Sequence, residues 1–124
     1  MSQKYNILIA DDDPDLVKVL KDRLEAEGFL VVVAYEGIRA VEMAHKKGPD
    51  LIILDLKMPA GTGQSVLKNL RSHADTDKIP VIILTALSTP DIEREVKKAG
   101  AQALIKKPYE STDLLDKIRS LLPH

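Results

Sequence analysis

Three consecutive aspartates, Asp11, Asp12 and Asp13, follow the apolar run "NILIA", and a fourth, Asp55, closes the run "LIILD". A threonine, Thr85, closes "VIILT", and a lysine, Lys107, closes "ALIKK". Each group stands where a short apolar segment stops. Two or three carboxylates brought within several ångströms repel one another, so a cation must neutralise them or one must take up a proton. An oxygen-only, partly hydrated set of this kind suits a hard divalent ion such as Mg²⁺, which takes few protein ligands and leaves room for phosphoryl oxygens. A lysine ammonium opposite supplies a point charge for a second phosphoryl oxygen. A threonine hydroxyl can hydrogen-bond the third. The Asp55 carboxylate can then serve as nucleophile and form an acyl phosphate. In-line phosphoryl transfer needs positioning and charge neutralisation above all, and these groups supply both.

The elements that must position them alternate along the chain. Apolar runs at 6–10, 29–35, 51–55, 81–86 and 103–107 read as strands. Between them lie segments of helical period. "DPDLVKVLKDRLEAEG" presents Leu16, Val17, Leu20 and Leu24 on one stripe, with Asp13 as N-cap, Pro14 at the first helical position and Gly28 as the stop. "IRAVEMAHKKG" turns Ile38, Val41 and Ala44 or Met43 inward, and "GQSVLKNLRSH" does the same with Val66, Leu67 and Leu70. "STPDIEREVKKAG" has Ser88 or Thr89 as cap and Gly100 at its end. "STDLLDKIRSLL" carries Leu114, Leu115, Ile118, Leu121 and Leu122.

Strand followed by helix, five times over, predicts an α/β fold with a parallel sheet and helices on both faces. The third and fourth strands are apolar at successive positions, as strands covered on both faces must be. Right-handed crossovers place every strand's C-terminal end along one edge. In such a sheet the crevice beyond the carboxyl ends holds the ligand, above all where strand order reverses. Asp55 is then a carboxylate on the exposed end of a buried post.

Bulk properties narrow the choice. A chain of 124 residues predicts one domain, and "LLPH" directly after the last helix predicts no output domain. The net charge of −1 gives no basic field for direct nucleic-acid binding, and four aromatic residues are too few for a base-stacking platform. The absence of cysteine excludes thiolate chemistry and Cys-based metal sites. No run has membrane-spanning length and no signal peptide opens the chain, which predicts no membrane insertion and a cytoplasmic location. His45, His73 and His124 show neither metal spacing nor a partner carboxylate and read as surface residues. Gly61 and Gly63 form no phosphate loop of Walker type, because no Gly-Lys-Ser/Thr follows.

Nearly the whole chain, from about Tyr5 to Leu122, resembles the response-regulator receiver domain of two-component signal transduction. "ILIADDDPD", "DLIILDLKMP", "VIILTA" and "KKPY" carry the resemblance, in that order and at family-like separations. It implies the flavodoxin-like (βα)5 fold, a five-stranded parallel sheet of order 2-1-3-4-5. It further implies that Asp55 accepts a phosphoryl group from the phosphohistidine of a sensor histidine kinase or histidine phosphotransfer protein. Asp11, Asp12, Asp55 and the backbone carbonyl of Lys57 would hold Mg²⁺, and Thr85 and Lys107 would contact the phosphoryl group. The Lys107–Pro108 bond would be cis. Catalysis would be confined to the domain's own phosphorylation and dephosphorylation. Output would pass through the face of the fourth helix, fifth strand and fifth helix, with Glu93, Lys97, Lys106 and Asp116, toward a downstream protein or a second copy of the chain.

Leu104 departs from the family, which commonly has Tyr or Phe there as a rotamer switch. Tyr109 stands at a different position. The expectation is therefore a switch in which Thr85 moves toward phosphate and residues 86–105 shift by loop rearrangement. "PAGTGQ" also lacks the acidic residue of many relatives. An alternative is a haloacid-dehalogenase-like phosphatase using Asp11 and Asp13, although the later acidic motif and room for a cap are lacking. Flavin binding fits poorly, since three aspartates stand where a Ser/Thr/Gly-rich phosphate loop belongs.

Overall fold

The computed structural model describes residues 4–123. Five strands alternate with five helices: β1 (Asn6–Ala10), α1 (Pro14–Ala26), β2 (Leu30–Ala34), α2 (Gly37–Lys47), β3 (Leu51–Leu54), α3 (Gly63–Arg71), β4 (Val81–Thr85), α4 (Pro90–Lys98), β5 (Ala103–Lys106) and α5 (Ser111–Leu121). All pairings are parallel and the order is β2-β1-β3-β4-β5. This is the expected doubly wound topology.

The period of two along each strand divides the core into two layers. Ile7, Ile9, Leu51, Ile53, Ile82 and Leu84 face α1 and α5, where they meet Val17, Leu20, Leu24, Leu114, Leu115 and Ile118. Leu8, Ala10, Ile52, Leu54 and Ile83 face the other way, onto Leu67, Leu70 and Val96. Both layers are closed to solvent, so β3 and β4 are buried at every position. Each fully buried Leu or Ile stabilises the fold by about 1.5–3 kcal/mol, which makes this pair of layers a rigid platform.

The helix ends follow their local chemistry. Asp13 accepts from the backbone N–H of Asp15 and Leu16 and starts α1, and Thr89 accepts from Ile92 N–H and starts α4. Gly28 takes a left-handed φ of 94° just past α1.

Helix α2 differs from its expected stripe. Ile38 is 62% exposed, and the buried residues are Gly37, Ala40 and Ala44, with Val41 and Met43 half-buried. The reason is close approach. The loop after β3 lies across the first turn of α2, and a Cβ at Gly37 would overlap the carbonyl oxygen of Gly61. The buried face therefore starts at Gly37, where no side chain fits, and Ile38 beside it is turned outward.

Candidate functional site

The register of the sheet brings the acidic residues together. Ala10 pairs with Leu54, and the next residue on each strand is an aspartate. The Asp55 N–H donates to the Ala10 carbonyl at 2.9 Å, which carries the ladder one step past β3. Strand β1 has β2 on one side and β3 on the other, so chain order reverses at this point. Asp11 and Asp55 are buried at the switch point, while Asp12 is exposed at its rim. One carboxylate oxygen from each of the three lies within 4.8 Å of the others.

Lys107 reaches the cluster from beyond β5. Its backbone N–H donates to the Thr85 carbonyl at 2.9 Å, which fixes where the side chain starts. Its ammonium Nζ donates to Asp11 Oδ2 at 2.7 Å and to Asp55 Oδ2 at 3.2 Å. The remaining carboxylate oxygens are partly used. Asp11 Oδ1 accepts from Asp13 N–H at 3.0 Å, and Asp55 Oδ1 accepts from Lys57 N–H at 3.3 Å.

Burial pushes the Asp11 carboxyl above its usual range, and the charge of Asp55 adds to this against the hydrogen bonds from Lys107 and Asp13. Burial also opposes the Lys107 charge. The hydrogen bond it donates to Asp11 and the charges of both aspartates outweigh this and hold the ammonium above its ordinary value. One ammonium thus faces three carboxylates. The surplus negative charge, the all-oxygen donor set and the open rim at Asp12 fit a hard divalent cation.

Thr85 lies at the buried end of β4, and its Oγ1 accepts from Leu87 N–H at 3.1 Å. Ala86 and Leu87 are exposed beside it. Leu104 is half-buried on the α2–α4 side of the sheet. Tyr109 packs on the α1–α5 side, where burial raises its phenol above the usual value. The two positions are on opposite faces, so Tyr109 does not stand in for an aromatic at Leu104. The Lys107–Pro108 peptide is cis, as expected.

Some residues stay outside the cluster. Asp13 is exposed and occupied as the α1 cap, which leaves the Asp11–Asp13 phosphatase pair without its second member. His45 was expected to lack a carboxylate partner, yet its Nδ1 lies 2.8 Å from Asp75 Oδ2 and its Nε2 3.2 Å from Asn69 Oδ1. The correction has a simple cause. Asp75 lies in the loop after α3, so only the packing of α2 on α3 brings the pair together. His124 lies outside the described residues.

Sequence reasoning also missed what holds the loop after Asp55. Gly63 N–H donates to the Leu56 carbonyl at 3.0 Å, and a Cβ at Gly63 would run into the Asp55 backbone. The short Gly-Thr-Gly spacing was the available signal, and it was weighed only as a phosphate loop and set aside.

Comparison with known proteins agrees with this geometry. Residues 7–119 match the response regulator receiver domain family. The chain is 37% identical over 116 residues to the DNA-binding dual master transcriptional regulator RpaA of Synechocystis, covering 94% of this chain and 48% of that protein. It is 30% identical over 117 residues to the polar-differentiation response regulator DivK of Brucella ovis, covering 94% of this chain and 95% of that protein. The chain thus spans about half the length of the RpaA relative. The chemotaxis response regulator CheY4 of Vibrio cholerae superimposes with a TM-score of 0.90 at 28% identity, covering 97% of this chain and all of that one. These findings give no support to the haloacid-dehalogenase-like alternative. Receiver domains are phosphoacceptor switches rather than classical enzymes; they generally use Mg²⁺ at an aspartate cluster and interact with histidine kinases or phosphotransfer proteins. Among the described residues no helix is long and apolar enough to cross a membrane. With the 2-1-3-4-5 sheet, the aspartates at its reversal point and a family match over almost the whole chain, this protein belongs to the response-regulator receiver family.

Proposed function

We propose that Asp55 is the phosphoacceptor, that Asp11, Asp12, Asp55 and the Lys57 backbone carbonyl hold Mg²⁺, and that Thr85 and Lys107 bind the phosphoryl oxygens. The observation that carries this reading is the bridge from Lys107 Nζ to Asp11 and Asp55 inside a cluster of three carboxylates. Bound Mg²⁺ would supply charge neutralisation for the phosphoryl oxygens. An Asp55 carboxylate oxygen attacks phosphorus in line. The O–P bond forms as the P–N bond to the donor histidine breaks, and the imidazole leaves with the bonding electrons. Lys107 follows the charge from the carboxylate to the phosphoryl group. Burial keeps bulk water from Asp55 and favours acyl phosphate over immediate hydrolysis.

Activity in this reading is limited to the domain's own phosphorylation and slow dephosphorylation, in the cytoplasm, with a sensor histidine kinase or histidine phosphotransfer protein as donor. Thr85 couples the site to its surface. Its hydroxyl accepts from Leu87 N–H, so a Thr85 that turns to the phosphoryl group releases the start of the loop before α4. Output passes to the face that carries Glu93, Lys97, Lys106 and Asp116, all exposed, and there meets a downstream protein or, on phosphorylation, a second copy. With Leu104 in the switch position, movement runs through the loop rather than through an aromatic rotamer.

The test is labelling by a small phosphodonor such as acetyl phosphate. Wild type takes up an acid-labile label that needs Mg²⁺, and Asp55→Asn takes up none. Label that survives the substitution refutes the assignment. For the switch, structures with and without a phosphoryl mimic should differ through residues 86–105. Superposition over that stretch removes the loop-driven account.

A further inference from the structure

The loop between Asp55 and α3 is closed by its own Leu56–Gly63 hydrogen bond and is held across its middle by the first turn of a different helix. Pro59 accepts from Gly37 N–H at 3.1 Å, and Ala60 accepts from Ile38 N–H at 2.8 Å. These are the opening N–H groups of α2, which a helix leaves without internal partners. The α2 N-cap, Glu36, makes no side-chain cap hydrogen bond, and its first turn holds no acidic residue. Loop carbonyls therefore do the capping, and the positive end of the helix dipole favours them there.

The contact is backbone on backbone. The Gly37 Cα lies 3.3 Å from where a Gly61 Cβ would stand, and a Cβ on Gly37 would overlap the Gly61 carbonyl. Ala60 takes φ 49° and Gly61 φ 114° to make the crossing. Met58, 7% exposed, pins the loop from beneath. The stretch from Leu56 to Gly61 is thus clamped between Asp55 at one end and α2 at the other, with Lys57 inside it.

We propose that the Gly37–Gly61 crossing is a positioning device that sets the affinity of the site for its divalent cation by fixing the Lys57 carbonyl beside Asp55. This rests on the assignment of that carbonyl as a ligand. Gly37 and Ile38 are positioning residues; neither touches the cation. By thermodynamic reciprocity, cation binding at the loop must in turn stiffen the opening turn of α2.

Two measurements on the full chain test it. Calorimetric Mg²⁺ titration compares wild type, Gly37→Ala and Gly48→Ala. Gly48 caps the other end of the same helix at φ 53°, and an added Cβ there would meet nothing within 4 Å, so its substitution strains α2 without touching the loop. Gly37→Ala should weaken Mg²⁺ about tenfold, in the range seen when groups that orient a metal ligand are altered. Gly48→Ala should stay within about twofold. A folded Gly37→Ala that binds Mg²⁺ as wild type does overturns the inference. The second measurement needs no variant. Saturating Mg²⁺ should slow amide hydrogen exchange at Gly37 and Ile38 in wild type, and leave Gly48 N–H, bonded to Ala44 at the far end, unchanged. A purely structural crossing would be equally protected with and without the ion, and that result also overturns the inference. It decides the matter if Gly37→Ala fails to fold. A wild type that binds no Mg²⁺ sinks the functional reading and this one together, whereas binding that ignores Gly37 sinks this one alone.

Discussion

Two polar clusters lie at opposite ends of the same sheet, and they are built on opposite rules. At the amino-end loops, Arg71 spends every donor of its guanidinium on neutral oxygens. Nε and Nη2 donate to Gly100, Nη1 to Thr76 and Asp77, and Nη2 also to Ile79 and Gln102, at 2.8–3.2 Å. Burial works against this charge and Asp77 supports it. At the carboxyl end one ammonium bridges two of three clustered carboxylates. The first cluster joins the loops before β4 and β5 and has no unused capacity for a ligand. The second is electrostatically incomplete. A polar cluster whose partners balance is a fastener, and one left with surplus negative charge has the chemistry to suit a cation.

Substitutions at the two ends should therefore separate stability from binding. Arg71→Ala is expected to have the largest effect on stability. It strips several loop carbonyls of a charged donor, and hydrogen bonds to charged groups contribute about 1.5–3 kcal/mol each without adding fully. A loss of about 3 kcal/mol, or roughly 10 °C in Tm, should appear in thermal unfolding, with Mg²⁺ affinity of the folded variant unchanged. A variant that melts like wild type would erase the contrast.

Asp11→Asn should do the reverse. The folded state raises the Asp11 pKa above 3.8, so it binds that proton more tightly than the unfolded chain does. The stability gained from that proton is present below about 3.8 and is lost as pH rises through the folded value. At pH 7 the ionised group is a net cost without a cation. Asparagine removes it, and Tm in the absence of Mg²⁺ should rise by about 3 °C, an advantage that fades toward pH 4. Mg²⁺ affinity should fall at least about tenfold. A lower Tm at pH 7 would show that the Lys107 pair outweighs burial.

The smallest effect is expected at His45, outside both clusters. Its hydrogen bond to Asp75 raises the imidazole pKa above 6.5, and the same bond lowers that of Asp75. The histidine's contribution is complete below about 6.5 and is lost as pH rises through its folded pKa; the aspartate's is lost as pH falls through its own. His45→Gln should thus lower Tm by about 2 °C near pH 6 and by less at pH 8.5, as suits a pair that is partly solvent-exposed. A difference that grows with pH would reverse the assigned sign.

What was legible in the sequence follows from how each group is positioned. Asp11, Asp55, Thr85 and Lys107 end apolar runs, and a strand end carries its own address once the sheet is parallel. Ile38 was misread because an apolar residue at helical spacing looks inward; the passing loop leaves no room for a Cβ at Gly37, and the buried face runs through Gly37, Ala40 and Ala44. Arg71 drew no attention, since a basic residue in the last turn of a helix is ordinary. Its partners come from two loops that only the fold assembles. The His45–Asp75 contact was hidden for the same reason.

The sequence by itself determined the order of strands and helices, the two-faced burial of β3 and β4, and which carboxylates, hydroxyl and ammonium reach the sheet's carboxyl edge. Those properties depend on local periodicity and on the residue at the end of each run. The tertiary structure alone decided that Lys107 bridges Asp11 and Asp55, that α2 clasps the loop beside them, and that Arg71 is saturated. Such contacts join residues far apart in the chain, and their distances arise only when two apolar layers close on the sheet and leave each backbone a single path.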